Sequence, residues 1–198
     1  MVISETPRRG RPGYSRDQVL ESAVALFNEQ GYDATSVADL SARLGLTKSA
    51  LYHHFESKEQ LLEVAVDSAL GGLEQSLDAA MTMPTTAERV AATITGAVTV
   101  LTAQRQQVTL LLRLRGNSPV EVAALQRRRA FDQRVTDLLR TAQHEGVVRQ
   151  DIDAATMTRL VFGMINSIVE WYHPDGAIDP EALATDVSLI VADGLRPR

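Results

Sequence analysis

The chain has 198 residues, a net charge of −5 and no cysteine, which excludes disulfide-stapled proteins and thiol chemistry. Its apolar content of 44% is enough for a sizeable core, and no apolar run approaches the ~20 residues of a membrane span. The N-terminus lacks the apolar segment of a secretory signal, so we expect a cytoplasmic protein without membrane contact.

Residues 1–14 are predicted to form a flexible basic arm. Pro, Gly and Arg are mixed there without apolar periodicity, and Arg8, Arg9 and Arg11 make the segment locally basic although the whole chain is acidic. Phosphate binding depends on the potential at the contact surface and not on the total charge. Two interpretations therefore stay open: a disordered tail, or an arm that reaches phosphates or a narrow minor groove.

Three short helices are predicted for residues 15–60. Ser15 with Gln18 forms a capping box that opens the first helix, and Gly31 ends it. Ser36, together with Thr35, caps the second. The apolar side chains predicted to face inward from the three helices are Val19, Ala23, Leu26, Phe27, Leu40, Leu44, Leu51 and Phe55.

The stretch 37–58 has the pattern of a helix, a glycine turn and a second helix. Gly45 ends the first helix, and the second is predicted over about 48–54. Its outer face is polar and basic, as a helix that enters a DNA groove requires. The only two lysines of the chain, Lys48 and Lys58, both fall in this stretch; chance together with arginine-rich codon usage is the alternative explanation.

Protein–DNA contacts divide into those that read base edges and those that hold the phosphate backbone. The candidates for base edges are Lys48, Ser49, Ala50, Tyr52 and His53. The candidates for phosphate contacts are Thr35, Tyr52, His54 and Lys58, and Ser36 completes the predicted DNA-binding set. We predict that Lys58→Ala weakens binding to all sequences alike, whereas Lys48→Ala relaxes the preference at one base position.

Six further helices are predicted, which makes the fold all-α with about nine helices: an N-terminal helix-turn-helix domain and a C-terminal domain over 61–198. The approximate bounds of the six are 58–81, 86–103, 106–114, 119–145, 153–172 and 181–193. The helix 153–172 is apolar around almost its whole circumference, which indicates burial on all sides. We therefore predict that the last two helices form a homodimer interface, a four-helix bundle with two helices from each chain. Closure of a monomeric bundle is the alternative.

The sequence offers no recognisable catalytic or metal site. It has no thiol, no His/Glu pair at i, i+4 and no phosphate-cradling glycine loop. His53 and His54 are adjacent, so on a helix they point about 100° apart and cannot chelate one ion together. We therefore expect no enzyme activity, no cofactor and no metal.

The run 19–62 resembles the DNA-binding domain of the TetR family of bacterial transcriptional regulators. The residues that carry the resemblance are Ala23, Leu26, Phe27, Gly31, Tyr32, Thr35, Ser36, Val37, Leu44, Gly45, Leu51, Tyr52, His54, Phe55, Lys58 and Leu61. The resemblance implies a helix-turn-helix domain, a helical domain that binds a small-molecule effector, and a homodimer on palindromic double-stranded DNA.

An effector site is predicted between helices of the C-terminal domain, where helical bundles place such sites. The candidate ligand-binding residues are Arg113, Phe131, Phe162, Asn166 and Trp171; the alternative is that the aromatic rings are simply core. The arginines at 127–129 form either a solvated face or, with Arg113, a site for an anionic group. The stretches RGNSPVEVAALQRRRAFD and FGMINSIVEWY also resemble a TetR subgroup that senses acyl-CoA thioesters, and the phosphates of coenzyme A would account for arginines beside an apolar cavity.

The sequence thus predicts a ligand-responsive transcriptional regulator, most simply a repressor. Two alternatives stay open: a DNA-binding protein without an effector, and a helical bundle that binds small molecules but not DNA.

Overall fold

The structure, a computed structural model, describes residues 14–197, and all regular secondary structure in this part of the chain is α-helical. The helices are α1 (Arg16–Gln30), α2 (Val37–Leu44), α3 (Lys48–Tyr52), α4 (Lys58–Met81), α5 (Thr86–Ala103), α6 (Arg105–Arg113), α7 (Pro119–His144), α8 (Ala154–Trp171) and α9 (Pro180–Leu195). The all-α prediction is therefore confirmed. Apart from Tyr14, the predicted basic arm lies outside the described residues.

The chain divides into two compact units, Met1–Lys58 and Glu59–Arg198. The described part of the first unit contains α1, α2 and α3 and ends with the first residue of α4. The remaining helices belong to the second unit. The predicted domain boundary at residue 60 lies two residues beyond this division.

Hydrogen bonds between near neighbours set the helix ends of the first unit. The Ser15 hydroxyl accepts from the Gln18 backbone N–H at 3.2 Å, and the Gln18 side chain accepts from the Ser15 N–H at 2.9 Å. Ser36 and Asp39 repeat this capping box at α2. Gly31 ends α1 with φ of 90°, a left-handed conformation that favours glycine. These reciprocal bonds satisfy backbone donors that a helix start leaves unpaired.

The core of the first unit contains every side chain that was predicted to face inward and, in addition, Val24. The buried members are Val19, Ala23, Val24, Leu26, Phe27, Leu40, Leu44, Leu51 and Phe55. The rings of Phe27 and Tyr32 meet edge to face with their centroids 5.1 Å apart. This core leaves the opposite face of α3 to solvent.

In the second unit α5 packs against α9, α7 and α8. The hydroxyls of Thr136 on α7 and Thr158 on α8 lie 3.0 Å apart in a buried position and hold these two helices together. Helix α9 runs to Leu195, two residues past the predicted end at Asp193, and includes Gly194. The helix continues because Leu195 is itself buried and extends the apolar stripe by a further turn.

The connection between α6 and α7 is held by one buried carboxylate. Glu121, only 3% exposed, accepts from the backbone N–H groups of Arg115 and Gly116 at 2.9 Å each and from that of Asn117 at 3.3 Å. Ser118 caps α7, as predicted. The three backbone donors of this loop are thereby satisfied without solvent.

None of the helices formed by residues 14–197 is both long enough and apolar enough to qualify as a candidate membrane span.

Candidate nucleic-acid interface and effector cavity

A glycine turn sets the direction of α3 relative to α2. Gly45 adopts the left-handed conformation, with φ of 63° and ψ of 29°. The following Leu46 donates its N–H to the Ser41 carbonyl at 3.0 Å, a pattern that ends helices with a glycine. The Thr47 hydroxyl then accepts from the Ala50 N–H at 3.1 Å and caps α3. The predicted helix–glycine–helix arrangement is confirmed, although α3 ends at Tyr52, two residues earlier than predicted.

The two faces of α3 differ in exposure. Leu51 and Phe55 are each 2% exposed and anchor the helix, whereas Tyr52 is 49% exposed. Lys48, Ser49 and His53 are also exposed. Ala50 and His54 are half-buried. The predicted base-edge candidates therefore share a surface whose position is set by buried neighbours.

The arginines and lysines of residues 14–58 have different partners. Arg16 lies 4.7 Å from the centre of the Phe55 ring and donates to the His54 carbonyl. Arg43 forms an ion pair with Glu29 at 2.7 Å. Lys48 makes no hydrogen bond or ion pair with any other residue in 14–58. Among the lysines and arginines of residues 14–58, Lys48 is thus the one whose charged group has no partner within that range.

Thr35 and Lys58, two of the predicted phosphate contacts, point into the domain. The Thr35 side chain is 1% exposed and donates its hydroxyl to the Gly31 carbonyl at 2.8 Å. The Lys58 Nζ donates to the carbonyls of Tyr32 and Thr35 at 2.9 and 3.0 Å and lies 4.1 Å from the centre of the Tyr32 ring. In this geometry both side chains stabilise the connection between α1 and α2, and their contact with phosphate stays a prediction.

Ser36 has its hydroxyl engaged with the Asp39 carboxylate at 2.6 Å. The hydrogen bonds from Ser36, its side chain first and then its backbone N–H, lower the pKa of Asp39. This pair is exposed, so Ser36 lies at the surface even though it serves as the cap of α2.

The second unit contains a cavity of about 410 Å³ between α4, α6, α7 and α8. This volume falls in the range of small-molecule sites. Its lining residues are Leu73, Val108, Leu111, Leu112, Arg128, Arg129, Phe131, Asp132, Gln133, Thr136, Ala155, Thr158, Arg159, Phe162, Gly163 and Asn166.

Three of the five predicted ligand residues line this cavity. Phe131 and Phe162 form an edge-to-face pair with ring centroids 5.5 Å apart, and Asn166 lies on the same face of α8. The other two lie elsewhere: Arg113 is exposed at the last residue of α6, and Trp171 is 46% exposed. Their roles as ligand residues stay predictions, and because α8 is apolar around most of its circumference, its sequence alone does not show that Trp171 faces away from this cavity.

The arginines at 127–129 divide between two environments. Arg127 forms ion pairs with Asp67 and with Glu74, the latter at 2.9 Å, and the Glu74 hydrogen bond is the main reason that the pKa of Arg127 is raised. Arg128 and Arg129 line the cavity instead. Neither forms an ion pair with a carboxylate in the described chain.

Sequence reasoning missed two charged residues of the cavity, Arg159 and Asp132. Arg159 lies three residues before Phe162 and seven before Asn166, the spacing of one helical face, so the signal was present but not used. Burial raises the pKa of Asp132, although Arg128 and Arg159 act in the opposite direction. Three guanidinium groups and one carboxyl group therefore face the same cavity.

The outer faces of the last two helices expose large apolar side chains. On α8 Leu160 is 64% and Met164 36% exposed, and these residues share a face with Trp171. On α9 Leu189 and Ile190 are 61% and 63% exposed. The inner faces of both helices are buried within the second unit, so the apolar circumference predicted for α8 corresponds to one covered face and one uncovered face.

In residues 14–197 no group of three or more His, Asp or Glu side chains is arranged to hold a metal ion.

Comparison with known proteins finds two family models along the chain. Residues 19–65 match the family model described as bacterial regulatory proteins, tetR family, and residues 83–195 match the tetracyclin repressor-like C-terminal domain. The transcriptional repressor KstR2 of Mycolicibacterium smegmatis is 28% identical, over 98% of this chain and 96% of that protein.

Solved structures agree in fold. SCO3833 of Streptomyces coelicolor A3, a member of the TetR transcriptional regulator family, is 44% identical, with a TM-score of 0.84 over 99% of this chain and 95% of that one. AibR, solved with isovaleryl coenzyme A and operator DNA, is 23% identical, with a TM-score of 0.73 over 88% of this chain and 96% of that one. Its likeness concerns the fold alone. With both family models matched along most of its length, the chain belongs to the TetR family of bacterial transcriptional regulators.

Proposed function

We propose that this protein is an effector-responsive repressor that binds palindromic operator DNA as a homodimer. The observation that carries the DNA-binding part is the outer face of α3, where Lys48 has no partner among residues 14–58 while Leu51 and Phe55 fix the helix from inside. A cation that projects from a fixed helix and is not neutralised is suited to a guanine edge or a phosphate. Operator binding would place the protein in the cytoplasm.

The apolar outer faces of α8 and α9 are the surface that we assign to the dimer. Burial of large apolar side chains is the main driving force of protein association, and a self-complementary patch produces a closed two-fold dimer. Such a dimer would present its two recognition helices to successive major grooves about 34–36 Å apart.

The cavity between α4, α6, α7 and α8 is the effector site in this proposal, and an acyl-CoA thioester is the effector that we favour. Two features support it: the arginines of the cavity suit phosphate or carboxylate groups, and Phe131 with Phe162 suits an apolar acyl group. Effector binding would release the operator to the extent that the effector prefers the state of the protein that is off DNA.

Genome-wide DNA footprinting with the full chain tests the operator part, and a gel shift on the upstream region of its own gene gives a quick first answer. We expect a palindromic site and its release by a member of a panel of CoA thioesters, free acids and aromatic compounds. Binding that no compound releases would favour a DNA-binding protein without an effector. Absence of any specific site would favour a helical bundle that binds small molecules but not DNA.

A further inference from the structure

The main cavity lies beside a second, much smaller apolar space in the same unit. This crevice has a volume of about 10 Å³ and lies between α5, α7, α8 and the end of α9. Ile94, Leu138 and Leu139 are among the side chains that line it. Two residues, Thr158 and Phe162, line both spaces, so they form the wall between them.

The crevice suits hydrocarbon better than water. Its polar side chains are two threonines whose hydroxyls are already used: Thr93 donates to the Arg89 carbonyl at 2.8 Å, and Thr158 is bonded to Thr136 and the Ala154 carbonyl at 3.0 Å each. A buried water needs two or more polar partners, and these two hydroxyls have no proton left to donate to it.

The two sides of the wall differ in charge. On the cavity side Arg128, Arg129 and Arg159 face Asp132, which leaves an excess of positive charge. On the crevice side the lining has no charged residue. A ligand that satisfies both ends must therefore carry a negative group at the arginines and an apolar group that reaches toward Phe162.

Phe162 is the part of the wall that no hydrogen bond holds. It is half-buried, and its aromatic contact is the edge-to-face pair with Phe131, an arrangement that depends on the orientation of the ring. Thr158, in contrast, is 3% exposed and held by two hydrogen bonds. Shortening the residue at 162 would join the crevice to the cavity, whereas the Thr158 side of the wall would stay in place.

We propose that the cavity binds an organic anion with an apolar tail, and that the Phe162 ring sets the greatest tail length that the site accepts. The negative group contacts the arginines and the tail lies along the Phe131–Phe162 pair. This inference rests on the proposed effector site and adds to it a rule for ligand length. The anion is either a free carboxylate or the phosphate-bearing part of a thioester, since both present oxygen acceptors to guanidinium groups.

Calorimetric titration of the full chain with two homologous series tests this proposal. One series is straight-chain carboxylates and the other is the CoA thioesters of the same acids, each extended by one methylene group at a time. We expect affinity in one series to rise by about fourfold per methylene group and then to stop rising at a limiting length. The series that shows this rise identifies the source of the negative group.

In Phe162→Ala the limiting length should increase by about two or three methylene groups, the reach of an aromatic side chain. Leu112→Ala is the matched control, because Leu112 lines the cavity but not the crevice; it should leave the limit unchanged. Arg159→Gln should weaken every member of the series by a similar factor. Circular dichroism of each variant checks folding, and Phe162→Leu replaces Phe162→Ala if the latter does not fold.

An unchanged limit in a folded Phe162 variant, or an equal increase in Leu112→Ala, would overturn the assignment of Phe162. If neither series binds to the wild-type protein, the assignment of the cavity to organic anions is wrong. Both results can be told apart from a failure of operator binding, because the titrations contain no DNA and the search for an operator by footprinting needs no ligand.

Discussion

The two units of the chain each place cations that form no ion pair, but in different settings. In residues 14–58 the unpaired cation, Lys48, lies on the outer face of a helix. In residues 59–197 Arg128, Arg129 and Arg159 line a cavity that is open to solvent, and none of the three forms an ion pair with a carboxylate. In both units other cations are used to hold the fold together. The setting of a cation thus indicates its partner: an outer face suits an extended polyanion, and a cavity suits a small anion.

Glu121 gives the largest expected effect and tests whether the stability of the second unit depends on this buried side chain. Glu121→Ala would leave three loop N–H groups without their acceptor, so we expect the free energy of unfolding to fall by about 2–4 kcal/mol. Chemical denaturation measures the change. Glu121→Gln keeps one acceptor oxygen and should cost less, and Glu63→Ala, at an exposed position of α4, is the control. Equal stability of Glu121→Ala and Glu63→Ala would contradict the structural role.

A substitution of Lys48 tests whether the exposed cation of the first unit contacts DNA bases. Lys48→Ala should reduce discrimination between operator and random DNA by about 1–3 kcal/mol, because the lost group reads a base edge. Fluorescence anisotropy with both DNAs measures it. Arg43→Ala is the matched control, since Arg43 is paired with Glu29 and should not affect discrimination. Equal losses on both DNAs for Lys48→Ala would make Lys48 a phosphate contact.

Lys58 sharpens the distinction between structural and binding cations. Because its Nζ donates to two carbonyls, we expect Lys58→Ala to lower the free energy of unfolding by about 1–2 kcal/mol. The affinity should fall for all DNA sequences, and its dependence on salt concentration should not change. A contact with one phosphate would instead lower the slope of log affinity against log salt concentration by about 0.9. A lower slope without loss of stability would support the phosphate role predicted from the sequence.

Asp132, whose carboxyl group faces the arginines of the cavity, gives the smallest expected effect. Burial raises the pKa of this carboxyl group in the folded protein, so the folded state binds the proton more strongly than the unfolded state. Its contribution to stability is therefore complete below the unfolded pKa and is lost as pH rises through the folded pKa. Asp132→Asn should slightly raise the melting temperature at pH 7, and the difference from wild type should shrink toward acid pH. A lower melting temperature at pH 7 would show that the attraction of Arg128 and Arg159 outweighs burial.

The sequence predicted most of the first unit because its signals are local. The capping boxes at Ser15 and Ser36 and the turn at Gly45 involve residues three or four apart, and short-range patterns of this kind are visible without a fold. The direction of the Lys58 side chain was not visible, because its acceptor at Tyr32 lies 26 residues away. Which groups a long side chain meets depends on the packing of whole helices.

The cavity was predicted less well for the same reason. Phe131, Phe162 and Asn166 were placed from residue type alone, and the structure brings them together. Arg159 and Asp132 were not predicted because charged residues on a helix are usually solvated. Trp171 lies outside this cavity, since an exposed surface accommodates an indole ring as well as a cavity does. A helical wheel that starts from Phe162 would have found Arg159, but no pattern in the sequence reveals the crevice behind Phe162.

Helix α8 presents two stripes to different surroundings: Arg159, Phe162 and Asn166 toward the cavity, and Leu160, Met164 and Trp171 toward the outside. Because α8 is a single helix, a rotation that moves the stripe at the cavity also moves the outer stripe. If the outer stripe joins two protomers, then small-molecule occupancy and self-association become thermodynamically reciprocal. Apparent effector affinity would then vary with the cellular abundance of the regulator, so the threshold of the genetic response would depend on how much of the protein a cell makes.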